Sequence, residues 1–339
     1  MSKPFINVAA GLILRADGSL LLAQRPEGKP WSGWWELPGG KIEAGESVLE
    51  ALSRELKEEL DIDVTDATPW VTYTHEYEVN IVRLAFCQVT GWRGEPTGIE
   101  GQQLAWVDPH QALTVGPLLP ATEPPLRWLR LPDQYLLTSI GSSAGLAPFL
   151  DKLTAALENG IKLVQFREPG WASSDADALI HEAFQQVLQR CHEFGARCLV
   201  NSCHPESWWA EADGVHFRAQ DAGSSAALRY AESQTTSSPA IPPDETCDAT
   251  RRLIGVSTHN AEDLPTARNL NADFVVLGHV LETPSHPNEA GMGWQRFADL
   301  AQEASLPVFA IGGQSASTVE IARQHGAHGI AGIRMEDKH

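Results

Sequence analysis

Eight short apolar runs alternate with helical stretches after Pro132, and this alternation restricts the possible folds more than any other feature of the sequence. Parallel strands connected by helices can close into a (β/α)₈ barrel when there are eight of them. The chain continues for only six residues beyond Ile333, so we predict a TIM barrel that lacks its last helix. The candidate strands are Tyr135–Ser139, Ile161–Arg167, Arg197–Asn201, Gly214–Phe217, Leu253–Ser257, Phe274–Val280, Val308–Ile311 and Gly329–Ile333.

A stretch rich in Ser, Thr and Pro lies between the fourth and fifth of these strands. It covers about residues 233–250, and its composition predicts a flexible insertion. Helical patterns occupy most of the other connections. They are Leu146–Glu158, Asp175–Phe194, Ala261–Leu270 and Trp294–Glu303.

The first 107 residues instead predict short strands around one strong helix. Two apolar runs on either side of Asp17-Gly18 predict a hairpin. The helix should cover Ser47–Leu60, because Ser47 and Glu50 have the spacing of a capping box. Many prolines between Asp108 and Pro132 predict a short helix and a linker, so we expect an α/β protein with domains at 1–130 and 131–339. The predicted strands are Phe5–Leu14, Leu20–Gln24, Val71–Glu78, Ile81–Thr90 and Leu104–Val107.

The charge balance narrows the possible partners. The chain has 44 Asp and Glu against 25 Lys and Arg, a net charge of −19, and acid is in excess on both sides of Leu131. A protein that binds nucleic acid polymers normally has a basic patch, so we expect neither such a polymer nor a membrane surface as partner. No apolar run is long enough to span a membrane, and five cysteines without CxxC spacing argue against a disulfide framework. We expect a cytoplasmic protein.

Three carboxylates share one face of the predicted helix. Glu55, Glu58 and Glu59 stand at i, i+3 and i+4, and Gly39-Gly40 precedes the helix. The carboxylates repel one another unless a hard divalent cation such as Mg²⁺ lies between them. An acidic face exposed to solvent is the alternative explanation. Arg54 could orient a neighbouring carboxylate in either case.

The same segment resembles the sequence motif of the Nudix hydrolases. The matching residues are Gly40, Glu46, Arg54, Glu55, Leu56, Glu58, Glu59 and Ile62. Asp61 stands where the motif has its last Gly, a position that ends the helix and carries no ligand. The resemblance implies an α/β/α sandwich fold for this domain and hydrolysis of a nucleoside triphosphate to the monophosphate and pyrophosphate.

Within that family the first 125 residues resemble the MutT type, the 8-oxo-dGTP diphosphatases. The resemblance implies Mg²⁺, with Mn²⁺ as a substitute, and Glu55 or Glu100 as the base that activates water. The implied metal ligands are the Gly39 carbonyl, Glu58, Glu59 and Glu100, and the implied substrate-binding residues are Arg25, Leu37, Lys41 and Thr122. Thr122 stands where the family has the Asn that contacts the base, and Thr lacks the paired donor and acceptor of an amide. Trp34, Trp35 and Leu37 line the base pocket or pack in the core.

The predicted barrel resembles the thiamine-phosphate synthases and the related TenI-type thiazole tautomerases. The resemblance implies Arg167, Asn201, Gly312 and Gly313 as ligand-binding residues and His259 as a proton carrier. A thiazole or thiamine phosphate is the implied ligand. The matching pieces are Gln165-Phe166-Arg167-Glu168, Asn201, Gln220-Asp221, Gly255–His259, Leu277–Thr283 and Ala310–Gly313.

The barrel also departs from the synthases in three places. One of them, the replacement of the Lys after the sixth strand around His286, falls outside the residues that the structure describes. Pro169-Gly170 stands where they carry a Lys, and Ser202-Cys203 stands where they carry an Asp pair, which leaves Asp221 as the one obvious Mg²⁺ ligand. His259 is the proton carrier of a tautomerase or a polar residue at a strand end. Three hypotheses stay open. The first is a Nudix hydrolase of 8-oxo-dGTP, and the second is a Nudix hydrolase of another nucleotide or of a thiamine-pathway diphosphate, with the barrel contributing. The third is a barrel without enzymatic activity, which senses a thiazole or thiamine phosphate or only stabilises the chain.

Overall fold

The computed structural model describes residues 3–171, 176–236, 251–283 and 289–334. These residues form two compact units, the first ending at Leu131 and the second beginning at Pro132. Within the described ranges, every helix is too short or too polar to cross a membrane.

The first unit contains seven strands in two sheets. A four-stranded sheet has the order β4-β1-β6-β5, with β1 and β6 parallel, and a three-stranded sheet has the order β3-β2-β7. The strands are β1 (Phe5–Ile13), β2 (Leu20–Gln24), β3 (Trp35–Glu36), β4 (Gly39–Lys41), β5 (Asp63–Glu76), β6 (Ile81–Arg93) and β7 (Leu104–Val107). The helices are α1 (Val48–Leu60) and α2 (Glu123–Trp128), the second preceded by a 3₁₀ turn at Pro120–Thr122.

The two helices cover opposite faces of the four-stranded sheet. Cys87 and Val89 of β6 pack with the apolar face of α1, whereas Phe86 points the other way and contacts Trp128 of α2. Successive residues of a strand face opposite sides of the sheet, so one strand serves both layers. This arrangement is the mixed α/β layering that the sequence predicts.

The predicted hairpin between β1 and β2 is wrong. A single bridge between Leu14 and Leu20 joins the two strands, which lie in different sheets. Both edges of β1 are already paired, one with β4 and one with β6. The turn at Gly18, with φ at 83°, therefore leads the chain out of the first sheet and into the second.

Helix α1 forms as its sequence predicts. The Ser47 side chain accepts from the Glu50 N–H, and the Glu50 carboxylate accepts from the Ser47 N–H at 2.8 Å, which completes the capping box. Leu52, Leu56 and Leu60 are buried against the sheet. Asp61 ends the helix in the left-handed conformation with φ at 54°, so it adopts the geometry for which the Nudix motif uses Gly.

The second unit is a closed barrel of eight parallel strands, which confirms the predicted architecture. No helix follows β15 before residue 334, where the described chain ends. The strands are β8 (Gln134–Leu137), β9 (Leu163–Phe166), β10 (Arg197–Asn201), β11 (Gly214–Phe217), β12 (Leu253–Thr258), β13 (Phe274–Gly278), β14 (Val308–Ile311) and β15 (Gly329–Gly332). The helices are α3 (Ser143–Glu158), α4 (Ala176–Glu193), α5 (Ala219–Ala222), α6 (Ser225–Thr236), α7 (Asp263–Asn269), α8 (Gly293–Ala304) and α9 (Val319–Gln324).

The start of the predicted insertion is helical. Residues 233–236 belong to the last turn of α6, because the first proline of this segment occurs only after them. Residues 237–250 lie outside the described ranges.

Candidate functional sites

Two glycines bring α1 against β4 in the first unit. A side chain at Gly39 would lie 2.2 Å from the Ala9 carbonyl oxygen, and one at Gly40 would lie 2.2 Å from the Glu55 carboxyl carbon. The Gly39 N–H donates to Glu59 Oε2 at 3.2 Å. The absence of a side chain at Gly39 lets β4 lie close to β1, and the absence of one at Gly40 lets the Glu55 carboxylate lie against the β4 backbone, where Glu59 also bonds.

Arg54 holds several of the surrounding carboxylates in place. Its Nε and Nη2 donate to the two Glu46 oxygens at 2.8 and 2.9 Å, and its Nη1 donates to Glu55 at 2.9 Å. Nη1 also lies 3.6 Å from Glu58. Hydrogen bonding to Arg54 lowers the pKa of Glu46 to about 2. Arg54 therefore balances part of the negative charge on this face of α1 and orients Glu55.

Glu59 lies in the most crowded part of this group. Burial and, to a smaller extent, the charges of Glu36, Glu55 and Glu100 raise the pKa of Glu59 to about 7, against the opposing effect of the hydrogen bond from Gly39. The effect of Glu100 shows that the loop before β7 comes close to α1. Carboxylates packed in this way destabilise one another until a positive charge joins them.

The remaining predicted metal ligands are engaged by cationic side chains. Glu58 is 61% exposed and faces Arg54, and Glu100 forms an ion pair with Lys29. In the described part of the chain, no three His, Cys, Asp or Glu side chains converge closely enough to hold a metal as they stand. The oxygen donors nevertheless have the chemistry that Mg²⁺ prefers, and the two outer carboxylates are exposed enough to rotate toward Glu59.

The predicted base pocket contains a charged pair that the sequence reasoning missed. Arg25 Nη1 donates to both Glu36 oxygens at 2.8 and 2.7 Å, and Arg25 Nε donates to the Pro30 carbonyl. Burial raises the pKa of Glu36, although Arg25 opposes the shift. Arg25 thus meets a carboxylate and not open solvent. The neighbour of Glu36, Leu37, is buried, and Lys41 is exposed, with its carbonyl accepting from Arg54.

Thr122 lies in the buried 3₁₀ turn before α2. Its N–H donates to the Leu119 carbonyl, and its side chain is buried. Burial raises the pKa of the Tyr77 phenol, and a hydrogen bond from the backbone of Ala121, which precedes Thr122, opposes the shift. The charge of Glu36 adds to the shift in this pKa and that of Arg25 opposes it. Tyr77 therefore connects the Thr122 turn with the Arg25–Glu36 pair, and only its place in the β5–β6 connection could have indicated this.

A chain of hydrogen bonds crosses the interior of the barrel from Asn201. Asn201 Nδ2 donates to Gln165 at 2.8 Å, and Gln165 Nε2 donates to the Tyr135 hydroxyl at 3.0 Å. The Tyr135 hydroxyl lies 3.3 Å from His216 Nδ1, and His216 Nε2 lies 2.9 Å from the Ser257 hydroxyl. Burial and the charge of Arg167 lower the pKa of His216 to about 3, so its imidazole is neutral. Asn201 is thus fixed by a buried network that includes residues outside the sequence prediction.

Asp221 is bound by protein donors at the end of β11. Its Oδ2 accepts from Arg218 Nε and from the Ser202 hydroxyl, both at 2.6 Å. The Arg218 N–H in turn donates to the Ser202 oxygen at 3.0 Å. The one carboxylate that the sequence left for a barrel metal therefore already has a cation beside it.

His259 and the Gly312-Gly313 turn meet on either side of Gly278-His279. The His259 ring lies 3.0 Å from the Gly278 carbonyl, which can only accept, so Nδ1 carries the hydrogen and Nε2 is left as an acceptor. The His259 N–H donates to Asp263. Gly312 and Gly313 have φ values of 95° and 68°, and a side chain at Gly312 would clash with His279 at 2.4 Å.

The comparisons with known proteins match each unit separately. The NUDIX domain model matches residues 4–129, and the thiamine monophosphate synthase model matches residues 134–235 and 242–335, more than half of the chain. An 8-oxo-dGTP diphosphatase of Haemophilus influenzae is 43% identical over 121 residues, which are 36% of this chain and 88% of the relative. A CTP pyrophosphohydrolase of Escherichia coli is 41% identical over 119 residues, 35% of this chain and 87% of the relative.

The barrel matches longer proteins. A thiamine-phosphate synthase of Nostoc punctiforme is 32% identical over 200 residues, which are 59% of this chain but only 50% of the relative. The chain thus spans about half the length of this curated relative. By these matches the chain belongs to the thiamine monophosphate synthase family through its barrel and to the Nudix pyrophosphohydrolases through its first unit.

Proposed function

We propose that the first unit hydrolyses 8-oxo-dGTP, and other nucleoside triphosphates, to the monophosphate and pyrophosphate with Mg²⁺ as the metal. The observation that carries this proposal is the placement of Glu55 and Glu59 against Gly39-Gly40, with Arg54 balancing only part of their charge. The Gly39 carbonyl, Glu58, Glu59 and Glu100 would hold the ion, and Mn²⁺ could replace it. When bound, the ion neutralises phosphate charge and acidifies water.

The protein side chains supply the rest of the chemistry. Glu55 takes the proton of the attacking water, because Arg54 orients its carboxylate and Gly40 leaves space beside it. Glu100 is the alternative base, and it must first leave Lys29. Water adds to phosphorus while the bond to the leaving phosphate oxygen breaks, so one anhydride becomes two phosphate products. Clearing 8-oxo-dGTP would keep an oxidised base out of newly replicated DNA.

Product analysis with and without Mg²⁺ tests this proposal. We expect the full chain to release pyrophosphate from 8-oxo-dGTP faster than from dGTP, and Glu58→Gln to reduce turnover by at least about tenfold. Glu78→Gln, at the exposed turn after β5, is the matched control and should leave turnover unchanged. Equal rates on dGTP and 8-oxo-dGTP would refute the sanitation role. If the chain cleaved none of 8-oxo-dGTP, dGTP and thiamine diphosphate in the presence of Mg²⁺, the proposed metal site would be refuted.

The buried Thr122 favours a second substrate, a cytidine triphosphate. A threonine hydroxyl cannot form the paired amide bonds that would select an oxidised purine, and one relative is named as a CTP pyrophosphohydrolase. Thr122→Asn should then shift the ratio of kcat/KM for 8-oxo-dGTP over CTP upward by about tenfold or more. An unchanged ratio would place base selection elsewhere, with Tyr77 and the Arg25–Glu36 pair as the next residues to test.

For the barrel we propose a thiazole or thiamine phosphate as ligand, contacted by Arg167, Asn201 and the Gly312-Gly313 turn. His259 offers Nε2 as a proton acceptor, which favours a thiazole tautomerase over a sensor. Conversion of the thiazole tautomers by the full chain and by His259→Ala tests this. Loss of conversion in the variant supports the tautomerase, whereas ligand binding without conversion in the wild-type chain would support a sensor.

A further inference from the structure

In the barrel, Arg218 pairs with Asp221, the carboxylate that would otherwise be available to a metal ion. Asp221 Oδ2 accepts two hydrogen bonds of 2.6 Å, one from Arg218 Nε and one from Ser202. The side chain of Asp221 is only 24% exposed. Burial opposes ionisation, but the bonds from Arg218 and Ser202 prevail, and the pKa of Asp221 is lowered. Asp221 is thus an ionised carboxylate whose charge Arg218 already balances.

Two strand ends hold this arrangement in place. Ser202 directly follows β10 and Arg218 directly follows β11, and the Arg218 N–H donates to the Ser202 oxygen at 3.0 Å. The Ser202 N–H donates to the His216 carbonyl of β11. These bonds fix the Ser202 hydroxyl and the Arg218 main chain at neighbouring strand ends, and the same hydroxyl donates to Asp221, the partner of the Arg218 side chain.

A second guanidinium points to the same region. Burial, together with the charges of Arg167 and Arg218, lowers the pKa of His204 to about 4. The same two arginines oppose the effect of burial on the pKa of the Cys203 thiol. Arg167 directly follows β9, which pairs with β10, and the N–H of the next residue, Glu168, donates to His204 Nε2 at 3.1 Å. Arg167 and Arg218 therefore follow the two strands on either side of β10, and Asp221 balances the charge of Arg218. Among the described residues, no carboxylate forms an ion pair with Arg167.

This side-chain set does not fit the metal that the synthase resemblance implies. The synthases have an Asp pair after the Asn, whereas this chain has Ser202-Cys203, and the remaining carboxylate is taken by Arg218. The described residues contain no group of three His, Cys, Asp or Glu side chains that could hold an ion. The other carboxylate of this region, Glu168, accepts hydrogen bonds from the Ile140 and Gly141 N–H groups at 2.8 and 2.9 Å, so it does not pair with Arg167. The Arg167 guanidinium is therefore left to bind an anion.

We infer that the barrel binds the phosphate of its ligand without a divalent cation, with Arg218 supplying the positive charge that a metal would supply and Arg167 the second contact. This rests on the phosphate-bearing ligand proposed above. Guanidinium groups suit the role because they donate two parallel hydrogen bonds to phosphate oxygens and stay charged at any physiological pH. The ligand's affinity is then independent of Mg²⁺, in contrast to the hydrolysis by the first unit.

Alkylation of Cys203 in the full chain tests the inference locally. Cys203 is partly exposed beside both arginines, whereas Cys87, Cys191 and Cys198 are buried. The alkylation rate of the Cys203 peptide is followed by mass spectrometry with inorganic pyrophosphate as probe, in EDTA and in Mg²⁺. At a pyrophosphate concentration ten times its Kd, the rate should fall about tenfold in both conditions. The readout is independent of nucleotide hydrolysis.

In EDTA, the Arg218→Ala variant should lose the protection of Cys203 from alkylation by pyrophosphate. Mg²⁺ should restore part of this protection, because Asp221 is then free to bind the ion. Arg229→Ala is the matched control, since Arg229 forms only a distant pair with Glu206 at 3.9 Å and is 65% exposed. If pyrophosphate protected Cys203 of the wild-type chain in Mg²⁺ but not in EDTA, the inference would be overturned. No protection in either condition would overturn it together with the phosphate ligand of the barrel, and would leave the Nudix proposal untouched.

Discussion

The two units of this protein place arginine and carboxylate side chains together in opposite proportions. In the first unit Arg54 faces Glu46, Glu55 and Glu58. Glu59 lies beside Gly39, and none of the described cationic side chains forms an ion pair with it. In the barrel one carboxylate, Asp221, faces Arg218 while Arg167 lies nearby. We therefore expect a cation to stabilise the first arrangement and an anion to stabilise the second.

This difference shows that an arginine–carboxylate pair does not by itself identify a binding site. Arg54 leaves carboxylates in excess, and the high pKa of Glu59 follows from its burial and from that excess. Arg218 leaves no carboxylate in excess, and the pKa of Asp221 is low. The number of charges that stay unbalanced after the pairs have formed decides which ligand each site can hold.

The largest expected effect separates the two sites by chemistry. Glu55→Gln keeps an oxygen for Arg54 but cannot take a proton, so kcat for nucleotide hydrolysis should fall by about 10²–10⁴-fold. Pyrophosphate protection of Cys203 should not change in this variant. Steady-state kinetics and the alkylation rate measure the two outcomes on one sample. A kcat within a factor of about three of the wild type would transfer the base role to Glu100.

The response to divalent cations should also differ between the units. Mg²⁺ at 100 times its Kd should stabilise the first unit by about 2.7 kcal/mol and leave the barrel unchanged. Hydrogen exchange of the peptides that cover α1 and β10–β11 distinguishes the two. Glu59→Gln should abolish the Mg²⁺ effect on α1. Slower exchange in β10–β11 with Mg²⁺ would contradict the assignment of a metal-free barrel.

Acid should destabilise the barrel through two buried histidines. The pKa of His216 is lowered to about 3 and that of His204 to about 4, chiefly by burial, so the unfolded chain binds these protons first as pH falls. Above pH 6.5 the neutral histidines make their full contribution to the free energy of unfolding. Below that pH each histidine lowers this free energy by about 1.4 kcal/mol per pH unit, until the pH reaches its pKa in the folded chain. Urea titrations of the barrel between pH 7 and 4.5 measure the slope. His216→Phe should lower the slope by half, and an unchanged slope would assign it to other groups.

The smallest expected effect concerns the placement of the Nudix carboxylates. Ser47→Ala removes the capping box of α1 and should lower the free energy of unfolding of the first unit by about 1 kcal/mol. Ser53→Ala, on the same helix, replaces a hydroxyl that only bonds back to Leu49 and should have little effect on stability. Urea denaturation compares the two variants, and equal stabilities would mean that packing alone positions the helix.

Local patterns were sufficient for much of this protein. The period of apolar residues predicted α1 within one residue, and strand–helix alternation predicted all eight barrel strands with small shifts at their ends. Both patterns depend only on residues that are close in the sequence, so they can be recognised without knowledge of the fold. The β1–β2 hairpin failed because its turn signal is local, whereas pairing of β1 with β6 joins residues more than seventy positions apart.

The amino-acid order thus established the two units, the carboxylates of α1 and the polar residues at the barrel's strand ends. The tertiary structure decided how those charges are used. Arg25 meets Glu36, Lys29 meets Glu100, and Ser202 from one strand end holds Arg218 and Asp221 of the next. Such pairs depend on which loops come together when the sheets close, and a side chain's charge in the sequence does not reveal the charge that will face it.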